Sequence, residues 1–267
     1  MSDWIADYEI VESIGDPSGG FLARAPARLG GGEVVVHRVP SDASSRATAS
    51  AHLLAVAGSR AEHLVGLVEI GQGDEGGEGG EVVAYWTTEH PTAISLAEGP
   101  SLGTALVLRA LAGAARGAHE LHEIGLAHGD IRPATVLVMP SGQGLLAVPA
   151  PPGHPPGQTA VASPPAGVET VEAAVLAGGP PSRASDLWAL GATANRALSG
   201  NSPYPGLDAD DPLAAVQRVL FGAPVVDPGI PPGPAGLIAR CLCADPARRP
   251  ESALAVATEL EVLAGPR

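Results

Sequence analysis

The first third of the chain carries short runs in which apolar and polar positions partly alternate, a pattern typical of β-strands. Gly, Pro, Asp and Ser residues between these runs favour turns. Five runs predict strands over Tyr8–Ile14, Phe21–Arg24, Glu33–Val39, Leu64–Ile70 and Val82–Thr87. The alanine-rich stretch Ala43–Ala57 predicts a helix among them, and the glycine-rich acidic stretch Gly71–Gly80 predicts a flexible loop.

After these strands, the sequence shows a pattern typical of a helix. Apolar residues recur at helical spacing over Ala105–Leu121, which predicts an amphipathic helix, and Val136–Met139 predicts a short strand. The chain length of 267 residues suits one large domain or two lobes, and the mixture of elements predicts an α+β fold.

A polar cluster lies between this helix and this strand, in the segment Leu126–Leu137. It resembles the catalytic loop of eukaryotic-like Ser/Thr protein kinases, because His128, Asp130 and Pro133 match and Arg132 stands where the family has lysine. Gly129 replaces the family's arginine, and Thr135 replaces the asparagine that would hold a magnesium ion. The resemblance makes Asp130 the candidate base.

Two later motifs extend the resemblance over most of the chain, from Tyr8 to Leu263. Ser185–Gly191, with Asp186 and Trp188, is similar to the start of the long central helix of the kinase large lobe. Cys241–Pro250 is similar to a signature that contains a buried arginine, here Arg249. The resemblance implies a bilobal fold, with a mainly β N-lobe at 1–88 and a mainly α C-lobe at 89–267. It also implies that Asp186 binds the catalytic-loop backbone and that Ala174 replaces the usual acidic partner of Arg249.

Several residues that bind the nucleotide in the kinase family are replaced in this chain. Gly15 and Gly20 match two glycines of the phosphate loop, but Pro17 occupies the position of the glycine between them and lacks an amide hydrogen. His37 stands at the phosphate-binding lysine, no acid lies in the helix after Asp42, and Val148 stands at the metal-binding aspartate. The resemblance therefore implies weak or absent ATP binding, no metal site and no cofactor.

The composition limits which classes of partner the protein can bind. The net charge of −14 argues against binding nucleic acid or an anionic membrane through long-range attraction. All fifteen basic residues are arginine, so no lysine can replace His37. No apolar run approaches the ~20 residues of a membrane span, and the acidic start does not resemble a signal peptide. Cys241 and Cys243 lie two apart on a predicted helix, so we expect inert thiols. We expect a cytoplasmic bacterial protein.

Three functions remain. The first is a pseudokinase scaffold that binds a protein partner, either an active kinase or a phosphopeptide-reading module. The second is a weak or metal-independent Ser/Thr kinase that uses Asp130, Arg132 and His37. The third is a nucleotide-binding sensor. Phosphorylation of Thr159, Ser163 or Thr170 could create a docking site, and the alternative is that they are ordinary loop hydroxyls.

Overall fold

The computed structural model describes residues 4–14, 20–39, 43–59, 61–75, 81–98, 102–149, 167–208 and 211–266. It contains both helices and strands, so the α+β prediction is confirmed. The chain divides into two compact units. Of the described residues, the first unit contains those up to 59 and those from 65 to 91, and the second contains 61–64 and those from 92 onward. No helix among these residues is long and apolar enough to cross a membrane.

The first unit is a ring of six strands with one helix, α1 (Ala43–Gly58). The ring order is β1-β2-β3-β4-β6-β5, with antiparallel pairing between neighbours. The strands are β1 (Trp4–Ile5), β2 (Tyr8–Ser13), β3 (Phe21–Arg24), β4 (Glu33–Arg38), β5 (Leu67–Glu75) and β6 (Glu81–Glu89). The sequence pattern missed β1, which is too short to show periodicity but closes the ring by pairing with both β2 and β5.

The predicted loop Gly71–Gly80 is wrong over its first half. β5 continues to Glu75, where it pairs with Glu81, whereas 76–80 lie outside the described residues. The glycines permit close approach: a Cβ at Gly71 would lie 2.6 Å from the Tyr85 hydroxyl, and one at Gly73 would lie 2.3 Å from Ala6. These glycines therefore make room for the packing of the ring, which composition alone does not reveal.

The second unit contains the remaining elements. Its helices are α2 (Thr104–Glu123), α3 (Ala173–Leu176), α4 (Arg183–Ser199), α5 (Pro212–Phe221), α6 (Pro232–Cys241) and α7 (Ala253–Ala264). A three-stranded sheet has the order β7 (Ile94–Ser95), β8 (Val136–Val138) and β9 (Gly144–Leu146). Leu64, predicted to begin β5, instead forms a parallel bridge with Leu146.

Small residues let α2 pack directly on β9. A Cβ at Gly113 would lie 2.2 Å from the carbonyl oxygen of Gly144, and a Cβ at Gly144 would lie 2.1 Å from that of Ala110. Both distances are far below van der Waals contact, so neither glycine can carry a side chain without movement of the backbone.

We expect Gly113→Ala to destabilise the protein by about 1–3 kcal/mol, because the overpacking outweighs the better helix propensity of alanine. Gly236→Ala is the matched control, since Gly236 lies inside α6 with nothing within 4 Å of its would-be Cβ. That change should stabilise by about 0.5–1 kcal/mol. Urea unfolding measures the free energy of unfolding of both variants. Equal changes in the two would show that α2 and β9 can move apart at little cost.

Candidate catalytic-loop site

The loop between α2 and β8 is positioned by both ends. Gly125 and Gly129 adopt positive φ values of 80° and 76°, which let the backbone turn after α2. Arg132 is extended because Pro133 follows it, and residues Pro133–Thr135 form a short 3₁₀ turn that leads into β8. This short turn holds Asp130, Arg132 and Thr135 close together.

Asp186, in the first turn of α4, holds the loop backbone. Its carboxylate accepts hydrogen bonds from the amides of His128 at 2.7 Å and Gly129 at 2.9 Å. It also lies 2.8 Å from His122 Nε2. Asp186 is 1% exposed, and its contacts with His128 and His122 are buried, whereas that with Gly129 is partly buried. Sequence reasoning did not identify His122, because its only signal was a polar residue at the end of an amphipathic helix.

His128 is buried, and its two ring nitrogens face different partners. Nδ1 accepts from the amide of Asp130 at 3.2 Å, while Nε2 lies 3.0 Å from the carbonyl oxygen of Ala147. These partners assign a neutral ring with its proton on Nε2. Burial lowers the pKa of His128, consistent with this neutral form.

The free energy of unfolding should therefore fall as pH decreases through about 6.5, where His128 takes up a proton in the unfolded but not the folded protein. One such group changes stability by at most about 1.4 kcal/mol per pH unit. Urea unfolding between about pH 7.5 and 5.5 measures the slope. His128→Asn removes this group and should flatten the slope, and an unchanged slope would assign the pH dependence to other residues.

Asp130 and Arg132 form an ion pair inside the loop. Arg132 Nε lies 3.0 and 3.2 Å from the two carboxylate oxygens of Asp130, and Arg132 is 3% exposed. The Thr135 hydroxyl accepts from the amide of Arg132 at 3.0 Å and donates to the carbonyl of Asp130 at 2.8 Å. The loop thus uses the candidate base and the threonine in its own hydrogen bonds.

Residues expected to contact phosphate or metal are distributed between the two units. His37 lies on β4, opposite Trp86 of β6, and the two rings stack with centroids 4.7 Å apart. A Cβ at Gly20 would lie 3.1 Å from the His37 ring. Val148 follows β9 in the second unit and supplies no oxygen from its side chain. Gly15 and Pro17 lie outside the described residues.

With alanine at position 174, Arg249 must find another acceptor or face solvent, and the structure gives it another acceptor, Glu172. Its Nη2 lies 2.5 Å from Glu172 Oε1, two residues before the alanine that sequence spacing had aligned. Nη1 donates to the carbonyl of Ala184 at 2.7 Å, and Nε donates to that of Cys243 at 2.9 Å. The two residues lie 77 positions apart in the chain, so only the tertiary structure reveals the pairing.

Two further groups in the second unit are poorly placed for chemistry. Thr170 is 3% exposed and its hydroxyl donates to the carbonyl of Gly167 at 2.7 Å, so it is not presented to a modifying enzyme. Thr159 and Ser163 lie outside the described residues.

Cys241 is buried, and burial raises the pKa of its thiol to about 12, so the thiol stays protonated and unreactive.

No protein-family model matches the chain. It is 31% identical over 159 residues to serine/threonine-protein kinase PknK of Mycobacterium tuberculosis, covering 56% of this chain and 14% of that protein. It is 29% identical over 265 residues to the DNA damage-responsive serine/threonine-protein kinase RqkA of Deinococcus radiodurans, covering 94% of this chain and 38% of RqkA. The chain thus spans well under half the length of either relative. This weak similarity to bacterial Ser/Thr protein kinases supports placement in the kinase-like superfamily.

Proposed function

We propose that this chain, similar to bacterial Ser/Thr protein kinases, is a bilobal pseudokinase that binds a protein partner and regulates Ser/Thr kinase signalling. The observation that carries the proposal is the closed hydrogen bonding of the catalytic-loop segment. Both carboxylate oxygens of Asp130 face Arg132, and the hydroxyl of Thr135 is bonded within the loop. A loop with these bonds is suited to holding its own shape.

The residues present do not fit a magnesium–nucleotide complex. When bound in a kinase, such a complex supplies the phosphoryl group and neutralises its charge. Magnesium prefers carboxylate and other oxygen ligands, and kinases hold it with an aspartate and an asparagine. Here the corresponding positions carry Val148, which has no oxygen, and Thr135, whose hydroxyl is engaged at 2.8 Å by the Asp130 carbonyl.

The first unit gives independent support. A kinase lysine reaches the phosphates as a permanent cation, whereas the histidine at position 37 is shorter and carries no permanent charge. Its ring packs against Trp86 within the unit, in a nearly parallel stack with planes 10° apart. The side chain at this position therefore serves packing of β4 on β6.

The expected loss of activity is large. Removing one well-aimed electrostatic group costs about 2.7–4 kcal/mol, a factor of roughly 10² to 10³ in rate. Several such groups are replaced here, and although losses within one unit are not additive, two or three would bring a kinase turnover near background. Catalysis is therefore the part of the family's function that we propose this chain has lost.

A weakly active kinase is the second candidate, because Asp130 is retained with a cation beside it and both relatives are named as kinases. A calorimetric ATP titration with and without Mg²⁺ and Mn²⁺, followed by a phosphate-transfer assay, distinguishes a pseudokinase from a weakly active kinase. We expect no metal-dependent heat of ATP binding and no phosphate transfer above that of Asp130→Asn. Transfer that is lost in Asp130→Asn would overturn the pseudokinase proposal, and ATP binding without transfer would favour a sensor.

A further inference from the structure

We propose that a cavity in the second unit binds a small anion-bearing molecule, one that carries a carboxylate or phosphate group. The cavity has a volume of about 470 Å³, within the usual range of small-molecule sites. We call it the arginine cavity, and its polar lining consists of Arg109, Arg116, His63, Gln143 and Glu261. It lies outside the catalytic-loop cluster, and the proposal does not rest on the pseudokinase function.

The cavity exists because its floor has almost no side chains. Ala112 and Gly113 of α2 face the turn Gly142–Gly144, and α2 meets β9 backbone to backbone at Gly113 and Gly144. Arg109 and Arg116 also line the cavity and stand two turns apart on α2, about 10 Å along the helix axis. The floor thus leaves space between two guanidinium groups.

The acids at this cavity are already paired. Both oxygens of Glu261 accept from Arg116, each at 2.8 Å, in a bidentate pair. Arg116 also lowers the pKa of Glu261, so this carboxylate remains ionised and paired. Glu120, which does not line the cavity, is also engaged. Its carboxylate accepts from the backbone amide of His63 at 3.1 Å and lies 2.8 Å from His63 Nδ1. The acceptors that could attract a cation are therefore occupied.

Arg109 differs from Arg116 because, among the described residues, it bonds only neutral oxygens. Its Nη2 donates to the carbonyl of Pro266 at 2.8 Å and more weakly to that of Gly265 at 3.4 Å. A guanidinium has five N–H donors, so most of its donors remain for a ligand. The Gln143 side chain, at the hairpin turn, adds an amide that can accept or donate. Within the part of the chain that the structure describes, the cavity thus offers a cation without an acidic partner and spare donors, which is the chemistry that recognises an anion.

The walls of the cavity are held in place before any ligand binds. The amide of Leu146 donates to the carbonyl of His63 at 2.8 Å, and the hairpin turn is closed by bonds between Met139 and both Gly142 and Gln143. Preorganised donors lose little entropy on binding. The net charge of −14 repels anions. At physiological salt, however, charges more than about 8 Å away from the anion are largely screened. Short contacts in the cavity therefore decide binding.

The test titrates the full chain with sodium phosphate and sodium succinate at constant ionic strength, using sodium chloride as the control, and follows thermal stability and heat of binding. The two probes separate phosphate from carboxylate recognition. Arg109→Gln removes the uncompensated cation. Arg196→Gln is the control, because Arg196 is also an arginine bonded to a carbonyl, that of Gly200, but lies outside the cavity.

We expect saturable binding of at least one probe, weakened about 10-fold or more by Arg109→Gln and unchanged by Arg196→Gln. Because Arg109→Gln could also loosen residues 265 and 266, Gln143 provides a second pair of variants that leaves those bonds intact. Gln143→Glu should weaken anion binding and Gln143→Lys should strengthen it. Binding that matches the chloride control, or that responds equally in both arginine variants, overturns the proposal. ATP binding abolished by Arg109→Gln would place that nucleotide here.

Discussion

Replacing Asp186 with alanine should cost about 3–5 kcal/mol of stability, because the change leaves several buried groups without their acceptor. The amides of His128 and Gly129 lose bonds of 2.7 and 2.9 Å, and His122 loses its carboxylate. With Asp186 1% exposed, water cannot replace the lost acceptor without opening the unit. Urea unfolding at pH 7 measures the loss.

Two variants make this expectation specific. Asp186→Asn keeps the shape and one acceptor oxygen but places an amide donor against donor groups, so its cost should lie between those of wild type and alanine. Asp227→Ala removes another aspartate that accepts two bonds, from Asn201 and Gly229, in a solvent-accessible setting. It should change stability little. If Asp186→Ala proved as mild as Asp227→Ala, the loop would not depend on α4.

Glu172→Ala should destabilise the second unit by about 3 kcal/mol, since breaking a buried pair leaves an uncompensated charge. The Arg249 side chain is 1% exposed, and among the described residues it keeps the carbonyls of Ala184 and Cys243 as partners after the change. We expect Glu172→Gln to be milder, because its amide oxygen still accepts from Nη2. Chemical unfolding of both variants at pH 7 provides the measurement.

The exposed pair of Arg240 and Glu259 is the control for this pair, with side chains 49% and 41% exposed. Glu259→Ala should cost about 0–1 kcal/mol, because exposed pairs contribute little. The double variant Glu172→Leu with Arg249→Met removes both charges and should recover much of the loss of Glu172→Ala. No recovery would mean that Arg249 acts through its carbonyl bonds alone.

Much of the fold could be predicted from local pattern. The helix predicted over Ala105–Leu121 occurs as α2, and the strand predicted over Glu33–Val39 occurs as β4. Local periodicity reports which face of an element is buried, and long periodic elements report it well. The two-residue strand β1 was missed because it is too short to show periodicity, and the end of β5 was missed because its glycines suggested a loop.

For the candidate site, the sequence by itself determined which chemical groups are present: Asp130 and Arg132 in one loop, and a histidine, a threonine and a valine where charge or metal ligands would be needed. Only the tertiary structure decided their partners. It pairs Asp130 with Arg132, Asp186 with His122, and Arg249 with Glu172, and it brings Arg109 to an open cavity. The reason is that hydrogen bonds and ion pairs form between atoms close in space, and spacing along a chain does not specify which distant residues the fold brings together.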